Sequence, residues 1–176
     1  MSLTAYQISI PVMIRGLAVL DDYLGHAQAL ATSKGLAEEA ILGARLAPDM
    51  LSFSEQISVL CNKVERHGAR LARQDQPTPA EAPPGFGGLK ARLAEATLYI
   101  EALPEDAVLN AETHTFGLSD PLIRGWFGGT EYLLELVLPD FFFHVAMAHA
   151  ILRHLGAPIG KRDYLGRLGL QFGGYA

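Results

Sequence analysis

The chain is short of cysteine, of positive charge and of unbroken apolar runs, and each shortage removes a class of protein. Cys61 is the single cysteine in 176 residues, so no intrachain disulfide can form and a reducing compartment is the simplest setting. The same residue reads as a small buried apolar side chain rather than a reactive thiol. Lys and Arg number 14 against 19 Asp and Glu, a formal charge of −5, with no basic stripe to offset it. Lys161 and Arg162 form too short a cluster to attract nucleic acid or an anionic membrane. The first residues lack the basic start and long apolar run of a signal peptide, and no stretch approaches about 18 uncharged apolar residues. The expectation is a cytoplasmic protein with neither nucleic acid nor membrane as partner.

What is present is enough apolar material for a core. Apolar residues make up 49% of the chain and charged residues 19%, which excludes a disordered or low-complexity protein. The length suits one ordinary domain, so residues 1–176 are expected to form a single helical-bundle domain.

Apolar residues recur at steps of three and four in four long segments. The first runs through Tyr6, Ile10, Met13, Leu17, Leu20, Leu24 and Ala27, with Pro11 inside it, which predicts a kink or a fresh start. The second carries Met50, Phe53, Ile57, Leu60, Val64, His67 and Leu71, with Pro48 suited to its first turn and His67 at a core-type position. The third carries Phe86, Leu89, Leu93, Ala96, Ile100 and Leu103, and stops at Pro104. The fourth runs from about Thr130, a suitable N-cap, to about Leu155. A short helix is expected over residues 36–46, and the prolines at 77, 79, 83 and 84 make residues 74–85 a crossover loop. Residues 107–129 lose the helical period and read as a short hairpin or flap before the last helix. The fold class is therefore all-α, a four-helix bundle with an added short helix and a hairpin.

The fourth helix is apolar over most of its circumference. One stripe contains Leu134, Leu138, Phe141, Val145, Ala148, Leu152 and Leu155; the adjacent one contains Leu133, Val137, Asp140, His144, Met147, Ile151 and His154. Asp140 and His144 thus lie on one face among hydrocarbon, where polar groups need partners. Pro139 leaves the Glu135 carbonyl without its helical donor and predicts a local irregularity beside them. Two readings stand. His144 is a core histidine bonded to Asp140 or a neighbouring helix, or the pair forms a metal or acid–base site completed by His67. His149 is about 140° around the helix from His144 and His154 about 15 Å along it, which keeps both from sharing an ion with His144. His149 reads as a surface or interface residue, His26 as solvated, and His114 as a flap residue able to approach a site.

Four stretches carry a resemblance: residues 11–17 (PVMIRGL), 44–50 (ARLAPDM), 132–144 (YLLELVLPDFFFH) and 151–166 (ILRHLGAPIGKRDYLG). Over residues 6–166 the chain resembles a bacterial family known as domain of unknown function number nineteen ninety-three, a branch of the DinB/YfiT-like superfamily. The resemblance implies a four-helix bundle, often dimeric, in a superfamily that includes metalloenzymes and thiol-dependent transferases or isomerases. It implies three metal-binding histidines, one on the second bundle helix and a His-x-x-x-His pair on the fourth. Here His67 lies on the first of those helices, His144 matches the second member of the pair, and Asp140 stands where the pair has its first histidine. The expected site is thus a divalent ion (zinc, nickel or iron) on His144, Asp140 and His67, in a metal-dependent small-molecule enzyme of the hydrolase or thiol-dependent transferase type. The alternative is a non-catalytic bundle, a homodimer or apolar-ligand binder, with a structural Asp140–His144 pair. The motif at residues 160–166 (GKRDYLG) is either a packed C-terminal loop or an anion-binding rim.

Overall fold

A computed structural model describes residues 3–119 and 124–168. Four long helices carry the fold: α1 (Ala5–Lys34), α3 (Phe53–Leu71), α4 (Gly85–Glu101) and α7 (Leu138–His154). Both α1 and α3 pack on α4 and on α7, so α1 and α3 face each other across the diagonal of the bundle. Between them Ile10, Met13, Leu20, Leu24, Phe53, Ile57, Ile100, Phe141 and Leu152 are removed from solvent, and that burial is the main source of stability. Cys61 is fully buried, and its desolvation pushes the thiol up to about 12, so it stays protonated.

Local chemistry sets the helix ends. Thr4 and Gln7 close a capping box on α1, and Ser52 and Glu55 close one on α3. The second box moves the start of α3 past Pro48, which instead sits in a turn where the Met50 N–H donates to the Ala47 carbonyl at 3.1 Å. Pro11 does not restart the first helix as a separate element; α1 runs through it, and Ile10, Met13 and Leu17 keep one buried stripe across the proline. Gly16 permits a close approach between α1 and α7. A Cβ there would lie 2.4 Å from the Phe141 ring, so α1 and α7 meet at this glycine.

The short helix expected after α1 is α2 (Glu38–Leu42), narrower than its pattern suggested. Beyond α4, α5 (Glu105–Val108) and a 3-10 turn (Ala111–Thr113) lead into a hairpin of β1 (Thr115–Ser119) and β2 (Arg124–Gly128). The strands are antiparallel, with Phe116 opposite Phe127 and Gly117 opposite Trp126. The alternation turns Phe116 and Leu118 inward and leaves Trp126 79% exposed. Residues 120–123 lie outside the described residues.

The last long helix starts as α6 (Gly129–Glu131), passes through a π-helical segment (Tyr132–Val137) and continues as α7. The irregularity expected from Pro139 lies just upstream of it: the Glu135 carbonyl, denied its usual donor, falls within the π segment. Gly129–His154 is long and apolar enough to cross a membrane by length and composition alone, although Glu131, Glu135, Asp140 and Arg153 keep it from being an uncharged run. In this fold its inner face packs on α1 and α3 and carries Asp140 and His144. The 160–166 motif forms α8 (Lys161–Leu165), closed when the Gly160 N–H donates to Asp163 Oδ2 at 2.7 Å, with Lys161 and Arg162 exposed.

Candidate functional site

One face of α3 meets the start of α7. The residues Gln56, Lys63 and His67 are separated by steps of seven and four, which stacks them on one side of α3. Asp140 and His144 are i and i+4 on α7, and the π segment presents Tyr132 beside them. His67 and His144 therefore lie at the same level of the bundle, each turning Nε2 toward the Asp140 carboxylate. His67 Nε2 is 3.7 Å from Oδ2, and His144 Nε2 is 3.8 Å from Oδ1. Lys63 Nζ donates to Asp140 Oδ1 at 2.5 Å. The His67 and His144 side chains are 7% and 6% exposed, whereas those of Asp140 and Lys63 are 22% and 24% exposed, so the ion pair forms the open side of the site.

Each imidazole is held from behind. Gln56 Nε2 donates to the Leu51 carbonyl at 3.3 Å, which turns Gln56 Oε1 toward His144 Nδ1 at 2.7 Å. Nδ1 of His144 must then carry the proton, leaving Nε2 as a lone pair aimed at the carboxylate. His67 Nδ1 shares a 2.7 Å hydrogen bond with the Tyr132 hydroxyl. Phe116 of the hairpin stacks on Tyr132, with ring centroids 4.5 Å apart, so the hairpin buttresses this support.

Burial first, and then the Lys63 charge, lowers the His144 imidazole to about 4 against the opposing pull of Asp140. Burial also lowers His67, again opposed by Asp140. For Asp140 burial acts upward, but the facing His67 imidazole and the hydrogen bond and charge of Lys63 outweigh it and hold the carboxyl at about 2. At neutral pH the site therefore holds one carboxylate, one ammonium and two neutral imidazoles.

The structure brings together all three residues singled out from the sequence as metal ligands. It adds Lys63, which sequence reasoning missed although it lies one turn before His67, and the supports Gln56 and Tyr132. As the side chains stand the donor set does not suit a resident metal: the ammonium of Lys63 holds the carboxylate oxygen that faces His144. Among the described residues no group of three His, Cys, Asp or Glu side chains is arranged to hold an ion.

The remaining histidines lie elsewhere. His149 is not a free surface residue, since the Tyr23 hydroxyl lies 2.6 Å from its Nδ1 and its ring stands edge-on to Tyr164. His26 is half-buried rather than fully solvated. His114 packs against Phe116 at the base of the hairpin, and His154 is exposed.

The fold and site define a class: a helical bundle whose interior carries a small polar centre between its second and fourth long helices. The chain belongs to the family described as Domain of unknown function (DUF1993), whose model matches residues 5–165. It is also similar to a solved structure, a DinB family member protein from Shewanella denitrificans, at 29% identity over 94% of each chain with a TM-score of 0.86. No curated protein matches the chain.

Proposed function

We propose that the protein is a small-molecule enzyme whose chemistry is a proton transfer at His144. The observation that carries this reading is the convergence of two acceptors, the Nε2 lone pair of His144 and the ionised Asp140, at the half-open end of a buried site. Such a pair receives a proton donor, here a thiol or water on a bound substrate. His144, lowered to about 4 in the open site, takes the proton at Nε2 only as a bound substrate closes the site and strengthens the pull of Asp140 on the imidazolium, while Lys63 faces the thiolate or hydroxide left behind. His67, fixed by Tyr132, faces the second carboxylate oxygen. This accords with the thiol-dependent transferase or hydrolase type expected from the sequence. A divalent ion on His67, Asp140 and His144 would need Lys63 to withdraw first, so no step is routed through one.

The test is the ultraviolet absorbance of a thiolate when a small thiol such as glutathione is titrated into metal-free protein at neutral pH. Thiolate formation in the wild type, lost in His144→Gln, is the expected result. No thiolate with either protein, and an effect of His144→Gln on stability alone, would move the pair to a structural role.

A further inference from the structure

Two arginines at the rim of the same site carry a second inference, which names the substrate class and rests on the proton-transfer reading for what that substrate does. We propose that Arg66 and Arg70 form a carboxylate-binding subsite beside Lys63, so that the substrate is a small organic acid bearing its thiol a short chain away from a carboxylate.

Three observations support it. The first is position. At about 100° per residue, Lys63, Arg66, His67 and Arg70 fall within a sector of about 100° on α3. Both guanidiniums lie near enough to act on the His67 imidazole and the Tyr132 hydroxyl, which puts them at the Tyr132 end of the site. The second is charge. Lys63 is paired with Asp140 and Arg92 with Glu65, but among the described residues neither Arg66 nor Arg70 has a carboxylate at ion-pair distance. In a chain of formal charge −5 the rim therefore carries two uncompensated cations. The third is desolvation without a partner. Arg66 and Arg70 are half-buried, and Arg66 Nε is shut off from water with no acceptor among the described residues. The same holds for Nδ1 of His114, at the base of the hairpin whose Phe116 stacks on Tyr132. Buried polar nitrogens are ordinarily satisfied, and a bound anion would satisfy the guanidinium.

Complementing the helix dipole would account for Arg70, which stands in the last turn of α3. It does not account for Arg66, a turn earlier and with Nε withdrawn from water. The place on the helix also selects the anion. Phosphate is commonly held by backbone N–H groups at a helix N-terminus, whereas these arginines stand toward the carbonyl end of α3, where only side chains can donate. Two planar guanidinium forks match a planar carboxylate. Along the helix axis Arg66 lies about 4.5 Å and Arg70 about 10.5 Å from Lys63. A carboxylate seated between the two arginines thus leaves its thiol beside Lys63 and His144 when a short aliphatic chain joins them.

The experiment pairs titration calorimetry with thiolate absorbance on metal-free protein in neutral, low-salt buffer, with circular dichroism to verify folding. Glutarate, a dicarboxylate without a thiol, should bind the wild type, and at least about tenfold more weakly Arg66→Gln and Arg70→Gln. Arg66→Lys and Arg70→Lys keep the charge but lose the fork; they should weaken binding severalfold, and they serve as the test if the glutamine variants do not fold. Mercaptopropionate should give its thiolate at a concentration about tenfold lower than mercaptoethanol, an advantage lost in Arg66→Gln/Arg70→Gln. No glutarate binding by the wild type, binding unchanged in the folded arginine variants, or phosphate bound more tightly than glutarate would overturn the proposal. So would equal thiolate formation from the two thiols. Glutarate bound through both arginines, with no thiolate from either thiol, would end the proton-transfer reading and keep the carboxylate subsite.

Discussion

Two ionic clusters share helix α3, and they are built to opposite ends. On the side toward α4, Arg92 is 1% exposed and grips Glu65 with two hydrogen bonds of 2.6 Å, while its Nη2 also donates to Asn62 at 3.0 Å. Asn62 in turn clasps the backbone of Ala80, pinning the proline-rich crossover. The Glu65 hydrogen bond raises the Arg92 guanidinium further, against the effect of burial, so the guanidinium stays charged. On the side toward α7, Lys63 and Asp140 make a single close contact, and two buried imidazoles face the same carboxylate at distances too long for a hydrogen bond. The first cluster neutralises its charges internally, leaving the Arg92 Nε–H without a partner, and fastens a loop. The second leaves directed polar capacity at an opening. Buried charge alone thus does not mark a functional site; acceptors left facing an opening do.

The largest way to break this comparison is Arg92→Ala, which strands Glu65 and should cost about 3–5 kcal/mol in urea denaturation. The double variant Arg92→Leu/Glu65→Leu should recover much of that loss, since a matched apolar pair carries no stranded charge. A full cost retained in the double variant would mean that the network does more than neutralise itself.

Acid should separate the clusters next. His144 falls from an ordinary 6.5 to about 4 on folding, so the unfolded chain binds its proton first as pH drops. Stability is then fully present above 6.5 and declines between 6.5 and about 4, by roughly 3 kcal/mol from this residue. His67, also lowered, adds to the same slope. Asp140 contributes later, as pH falls from 3.8 toward 2. Denaturation at stepped pH should show this decline, and it should shrink in His144→Gln. An unchanged slope in that variant would place the acid sensitivity elsewhere.

A smaller effect sharpens the account of the tautomer. Gln56→Leu leaves the buried His144 Nδ1–H without an acceptor, at a cost of about 1–3 kcal/mol. It also lets the proton move to Nε2 and toward Asp140, which nitrogen-15 NMR of the imidazole would report as a change of tautomer. The smallest effect belongs to Arg45→Ala. Its ion pair with Glu55 spans 3.5 Å between side chains 41% and 49% exposed, and its loss should change stability by about 0.5 kcal/mol or less.

The bundle was legible because burial repeats with the helix. The long stripes, the crossover and the hairpin all follow from spacing, prolines and glycines. Of the site, Asp140, His144 and His67 could be found because a polar residue on an apolar stripe is conspicuous. Lys63 and Gln56 could not be found that way, because they lie on the seam beside the apolar stripe of α3, where polar residues are ordinary. Their role depends on which helix packs against that seam. The Arg92–Glu65 pair was hidden for the same reason, since charges on a helix usually face water. Pro48 misled because a good N1 residue was outcompeted by the capping box of Ser52 and Glu55.

The apparent apolar breadth of the last helix has a separate cause, and the buried positions reveal it. They run Leu133, Val137, Phe141 and Val145 in three successive steps of four before Ala148 and Leu152 restore a mixed rhythm. An ordinary helix would drift off its core over three such steps, about 40° at each. The π segment takes up the excess, so the core seam crosses from one stripe to the other near Pro139. Such a helix keeps two phases. Removing one residue from Tyr132–Val137 would rotate everything upstream by about 100° against everything downstream. Tyr132 would swing away from His67 and take the hairpin with it, while Asp140 and His144 kept their places on α7. The single extra residue works as a vernier between the two halves of the helix, setting the support of one histidine independently of the other.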